Sequence, residues 1–184
     1  FGLRGLILAS LGDNGRADES FRRALQLDPR DADTLHNYGW FQCQLGRFAE
    51  AERNFEAALA QPPEIARVRP RCALGACQAR AGRLVDAERS LSRSYELDPA
   101  SAVTAYNLAD VLLRRGDASR ARFYINRVNG NPEASNAQSL WLAARIEKRL
   151  GNDAAAQALG RQLRDRFPQS PETLQFERGR FDDV

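Results

Sequence analysis

Three series of small residues run through this chain in step. One stands at Gly5, Gly39, Gly75, Ala109 and Ala144, a second at Gly12, Gly46, Gly82, Gly116 and Gly151, and a third at Ala17, Ala51, Ala87, Ala121 and Ala156. Each advances by 34, 36, 34 and 35 residues. Three series locked in one phase mean an internal repeat, and a repeat of this length is one supersecondary unit that buries its apolar face only against its neighbours.

The chemistry of each marker predicts what the unit is. A small residue in a first helix and an alanine in a second let two helices pack closely. The glycine between them supplies a left-handed turn that other side chains adopt at a cost. Phe21, Phe55, Leu91 and Ile125 follow the alanine by four residues and extend its apolar stripe. Pro29, Pro63, Pro99, Pro132 and Pro168 end the second helices. A period of about 34 residues built this way is that of the tetratricopeptide repeat. The expected fold is all-α: a right-handed tetratricopeptide superhelix of about five helical hairpins plus a C-terminal capping helix.

The expected helices are 1–11, 15–27, 32–45, 48–61, 67–81, 84–97, 101–115, 118–128, 134–150, 153–167 and 171–179. They make one array over 1–184, with units of about 1–29, 32–63, 67–99, 101–132 and 135–168 and a capping helix over 171–180. Two stretches interrupt the regularity: the longer linker from Pro62 to Pro70, and the turn Asn129-Gly130-Asn131-Pro132. Both are expected to be exposed.

Composition excludes several classes. Hydrophobic residues make up 43% and charged residues 28%, which suits a globular chain. No apolar run approaches the roughly 18 residues of a membrane span. The net charge of +3 comes from arginines interspersed with acids rather than a clustered basic face, so no nucleic-acid partner is expected. No catalytic motif, cofactor loop or metal-ligand spacing appears; His36 is the single histidine, and Cys72 and Cys77 fit no zinc pattern. The chain is read as a non-enzyme without cofactor or metal. Cys43, Cys72 and Cys77 are read as small buried hydrophobes, at least one of them a free thiol. The sequence starts at Phe1 and contains no methionine, so it is read as a fragment lacking an upstream segment.

Function then falls to binding. First helices of stacked hairpins line a concave face, and helical spacing places His36, Asn37, Trp40, Arg80, Tyr106, Asn107, Asp110, Arg114, Trp141, Arg145 and Arg149 on it. Trp, Tyr and Arg are frequent at binding hot spots. An extended or helical segment of a protein partner is expected there, with arginines receiving carboxylates. The competing expectation for Trp40 and Trp141 is plain packing on neighbouring helices.

Several strings carry a further likeness. Asn37-Tyr38-Gly39-Trp40-Phe41, Arg93-Ser94-Tyr95-Glu96-Leu97, Ala121-Arg122-Phe123-Tyr124, Ser139-Leu140-Trp141-Leu142 and Gln162-Leu163-Arg164-Asp165-Arg166-Phe167-Pro168 occur in order, and the chain closes with Gly179-Arg180-Phe181. Together they resemble the type IV pilus biogenesis/stability proteins, the pilotin lipoproteins of the PilF/PilW type. The resemblance implies a monomeric scaffold, anchored by an N-terminal lipid to the periplasmic face of the outer membrane, that helps the pilus secretin localise and assemble. It also implies an upstream repeat and lipid anchor missing from this chain. The alternative reading is a generic tetratricopeptide adaptor or co-chaperone binding a peptide segment in the cytoplasm, which free cysteines would suit.

Overall fold

The structure, a computed structural model, describes residues 1–62 and 67–181. Among the described residues there are eleven α-helices and no strand: α1 (Gly2–Ser10), α2 (Asn14–Leu27), α3 (Ala32–Gln44), α4 (Phe48–Leu59), α5 (Val68–Arg80), α6 (Leu84–Leu97), α7 (Ala102–Arg114), α8 (Ala118–Asn129), α9 (Ala137–Arg149), α10 (Asp153–Arg166) and α11 (Pro171–Glu177). They pair as the five expected hairpins followed by a single short helix. The chain divides into two compact units, Phe1–Asp98 and Pro99–Val184.

The turn glycines behave alike. Gly12, Gly46, Gly82, Gly116 and Gly151 all have φ between 75° and 86°, the left-handed conformation that a side chain would strain. Two second helices and the capping helix start on side-chain acceptors: Asp13 accepts from Arg16 N, Asp117 from Arg120 N, and Ser170 from Thr173 N.

In the first unit, glycine on the first helix receives the large side chain of the second. A Cβ on Gly39 would lie 3.0 Å from the Phe55 ring, and one on Gly75 2.6 Å from Leu91 Cγ. Phe21, Phe55 and Leu91 are fully buried as a result. Polar groups repeat with the fold as well. The buried Gln42 and Gln78 sit three residues after Gly39 and Gly75, and each accepts from its second helix, from Asn54 Nδ2 at 2.6 Å and from Ser90 Oγ at 2.8 Å.

In the second unit, Ile125 takes the same buried place, but the fifth hairpin carries Gly160 there. The missing volume is filled from outside the hairpin. Phe176 of α11 lies against Gly160 so closely that a Cβ would come within 1.9 Å of its ring. The capping helix therefore completes the core of the last hairpin, together with Leu140, Ala144 and Leu163.

Two expectations need correction. Pro70 is not linker: it is buried in the first turn of α5, where its missing N–H has no helical partner to lose. Pro63, Glu64, Ile65 and Ala66 lie outside the described residues. Helix α9 begins at Ala137 rather than 134, because Asn136 and Ser139 form a reciprocal capping box. The turn before it is pinned, since Asn129 Nδ2 donates to Ser139 O at 3.1 Å and Ser139 Oγ donates to Asn129 Oδ1 at 2.6 Å.

The largest correction concerns the cysteines. Cys43 and Cys77 form a disulfide between α3 and α5, with Cα atoms 5.9 Å apart. Cys72 is buried and not disulfide-bonded.

Candidate functional site

The candidate binding residues lie on first helices, and each unit arranges its own set. In the first unit, Trp40 is partly buried against a cluster of Cys43, Ala51, Phe55, Leu74 and Cys77. It thus packs on its own hairpin and the next while keeping part of its ring in solvent. His36, one turn earlier, faces Phe55 with ring centroids 6.0 Å apart, and its Nδ1 is buried with no hydrogen-bond partner. Burial, with the nearby charge of Arg69, lowers its pKa to about 4 despite the opposing charge of Asp33. The ring is neutral at physiological pH. Asn37 lines a shallow cleft with Gly2, Leu6, Asp33, Thr34 and Arg69. Arg80 is exposed at the last residue of α5.

In the second unit, Tyr106 and Val103 of α7 border a cavity of about 310 Å³ closed by Val128, Asn136 and Ser139. Burial and the Asp110 carboxylate raise the Tyr106 pKa, while Arg145 acts in the opposite sense, so these three groups share one neighbourhood. The arginines are less available than the sequence suggests. Arg114 pairs with Asp110 at 3.6 Å, and Arg145 Nε donates to the main-chain oxygen of Phe181 at 3.1 Å. Asn107 Nδ2 donates to Val103 O at 2.9 Å on its own helix. Trp141 lies 5.2 Å from the Phe181 ring and 6.3 Å from that of Phe176. Arg149 is exposed at the end of α9.

Two features escape a reading of the motifs. One is the disulfide beneath Trp40. The other is an ion-pair and hydrogen-bond network around Asp18. Tyr38 Oη donates to Asp18 Oδ1 at 2.8 Å, Arg47 Nη1 to the same oxygen at 2.7 Å, and Arg22 Nη2 pairs with Oδ2 at 2.8 Å. Burial alone would push the Asp18 carboxyl up, but the bonds from Arg47 and Tyr38 and the charge of Arg22 outweigh it and hold the pKa below the ordinary value. The same tie recurs one repeat later, where Arg83 grips Glu52 with two contacts of 2.7 and 2.9 Å. The signal was positional: Asp18 and Glu52 each follow the marker alanine, and Arg47 and Arg83 each follow a turn glycine.

Among the described residues no group of His, Cys, Asp and Glu is placed to hold a metal ion, and no helix is long and apolar enough to cross a membrane. What the first helices offer is aromatic surface, buried polar groups and guanidinium donors, which are the means of holding a polypeptide.

Comparison with known proteins agrees. Tetratricopeptide-repeat family models match residues 1–31, 20–53, 42–102, 78–140 and 138–170. The crystal structure of PilW, a widely conserved type IV pilus biogenesis factor, superposes with a TM-score of 0.86 at 34% identity, over 94% of this chain and 79% of that one. This chain belongs to the PilF/PilW family of type IV pilus tetratricopeptide-repeat proteins. PilF of Pseudomonas aeruginosa superposes with a TM-score of 0.81 at 27% identity, over 97% of this chain and 80% of the other. The type IV pilus assembly protein PilF of the same organism is 31% identical over 163 residues, 88% of this chain, and this chain spans 64% of that protein's length. YrrB, a tetratricopeptide protein with an unusual peptide-binding site, shares the fold with a TM-score of 0.72 at 19% identity.

Proposed function

We propose that this chain is a non-catalytic scaffold of type IV pilus biogenesis that captures a segment of the pilus secretin on its first-helix face. It thereby assists localisation of the secretin at the outer membrane and assembly of its ring. The observation that carries this reading is the likeness to PilW over nearly the whole chain. The protein works at the periplasmic face of the outer membrane, as a monomer held there in its full-length form by an N-terminal lipid. The Cys43–Cys77 disulfide supports that location over the cytoplasmic adaptor reading, because disulfides persist in the periplasm and are reduced in the cytosol.

Trp40 on α3 and Tyr106 on α7, both half-buried, are the anchors of the proposed capture, and the exposed Arg80 and Arg149 are its cations. Aromatic anchors of this kind lose about 2 kcal/mol or more of binding on truncation to Ala. The test is co-purification of the cognate secretin with the protein from solubilised membranes. Trp40→Ala with Tyr106→Ala is expected to reduce recovery at least roughly tenfold, with helical content unchanged. Absence of capture by the full-length lipidated protein, with secretin rings of normal abundance in a deletion strain, would remove the proposal.

A further inference from the structure

The last described residues, up to Phe181, lie on the candidate face of the fifth hairpin. Helix α11 stops at Glu177, and Gly179, with φ of 66°, turns the chain back. Gly179 N donates to Phe176 O at 3.0 Å and Arg180 N to Gln175 O at 3.1 Å, which fixes the turn and delivers Phe181 to α9. The Phe181 ring then meets Trp141 at 5.2 Å and Phe176 at 5.6 Å, while Lys148 Nζ stands 5.9 Å over its face. Arg145 closes the set by donating to the Phe181 carbonyl at 3.1 Å.

These contacts are of the kind by which a receptor holds a peptide. An aromatic slot takes one side chain, a cation covers the exposed ring, and a guanidinium fixes the main chain beside it. The slot is built from residues of α9 and α11, and Phe181 enters as the first residue beyond the helix-ending turn. Next to it, Tyr106 feels the charge of Arg145 and borders the cavity of about 310 Å³, whose described lining does not include Phe181. Phe181 fills the aromatic slot without lining the adjoining cavity.

We infer that Phe181 is an internal ligand of the fifth hairpin: it occupies the slot of a partner's aromatic side chain, so that α9 takes an extended segment bearing an aromatic residue, and that segment must displace the tail. This rests on the reading of the first-helix face as the capture surface. A longer segment placing one aromatic residue on Trp141 and an apolar one beside Tyr106 gains contacts that the tail lacks. The cost of displacing the tail lowers the apparent affinity of every such ligand by the fraction of molecules in which the slot is open.

The probe is a fluorescein-labelled synthetic peptide copying Glu177–Phe181, with a second peptide ending in Ala as its control; binding to the whole chain is read by anisotropy. Phe181→Ala in the protein is expected to tighten binding of the aromatic peptide roughly tenfold, and to leave the control peptide unbound. Adding Trp141→Ala is expected to abolish the gain. In a Trp40→Phe background, Phe181→Ala is also expected to shift Trp141 emission to the red. Equal affinity of the two chains for the aromatic peptide overturns the inference, and so does a fall in melting temperature with no gain in affinity, which would make Phe181 a packing residue alone. Secretin co-purification separates the two readings. Capture of secretin without any peptide gain removes the internal ligand and keeps the scaffold function; a peptide gain without secretin capture does the reverse.

Discussion

Cys43, four residues after Gly39 on α3, is bonded to Cys77, two residues after Gly75 on α5. The bond joins first helices of adjacent hairpins at positions that are not equivalent within the repeat, and it closes a loop across α4 and the turns on either side. Both sulfurs are fully buried under Trp40, so the link belongs to the core rather than the surface.

Closing a loop of that length stabilises the folded chain by about 3–4 kcal/mol in the chain-entropy account. Cys43→Ser with Cys77→Ser is expected to lower the urea midpoint accordingly. Thiol titration of the unfolded chain is expected to find one reactive thiol, Cys72, without reductant and three after reduction. Three thiols in periplasmically expressed protein would contradict the bond.

The fifth hairpin is predicted to be intolerant at Gly160. A methyl group there would enter the Phe176 ring, so Gly160→Ala is expected to cost about 1–3 kcal/mol and to unseat α11. Gly15, near the start of α2, has nothing within 4 Å of its missing Cβ. Gly15→Ala is expected to be neutral or to stabilise by up to about 1 kcal/mol. Thermal melts of the pair provide the comparison.

Arg47 and Arg93 distinguish a structural ion pair from a decorative one. Arg47 is partly buried and bridges Asp18 and Glu50, whereas Arg93 and Glu96 are more than half exposed, at 55% and 60%. Arg47→Ala is expected to cost about 1–3 kcal/mol, chiefly by leaving Asp18 short of partners. Arg93→Ala should change stability by less than about 0.5 kcal/mol. Denaturant unfolding at two salt concentrations reads both.

His36 makes stability depend on pH. Its folded-state pKa of about 4 lies below the ordinary value of 6.5, so between those values the unfolded chain binds more protons than the folded one. The contribution of the neutral ring is therefore fully present above pH 6.5, declines as the pH falls through the window and is gone below about 4. The ring is only partly buried, and with solvent screening the contribution is on the order of 1–2 kcal/mol. His36→Gln is expected to flatten the decline between pH 6.5 and 4 in urea titrations; an unchanged slope would show that other groups cause it.

The helices were legible because glycine, alanine and proline act locally: Gly46 needs its left-handed turn whatever surrounds it, and Phe55 must be buried if Gly39 is to admit it. Relations across hairpins were harder to read. The local step of 36 was visible in the sequence, but it places Cys43 and Cys77 at non-equivalent positions of the repeat and does not reveal which side of each helix faces the neighbour. Gly160 was visible as a glycine, yet only the packed structure shows that it is a vacancy for Phe176. The candidate site was legible as a set of residue types on first helices. The commitments of its arginines were not, because Asp110 and the Phe181 carbonyl take up Arg114 and Arg145 through contacts made only on folding.

The two ties Arg47–Asp18 and Arg83–Glu52 each run from a turn of one hairpin back to the second helix of the hairpin before it. Each tie adds a bond between hairpins to pairs that its members also make at home: Asp18 keeps Arg22, Arg47 keeps Glu50 and Arg83 keeps Asp86 within their own hairpins. This gives the stack a direction and a rule for shuffling. A hairpin transplanted into this position from another repeat protein should dock more tightly if it brings an acid immediately after its marker alanine and an arginine immediately after its turn glycine, so two residues add orientation to an interface that the apolar clusters already hold.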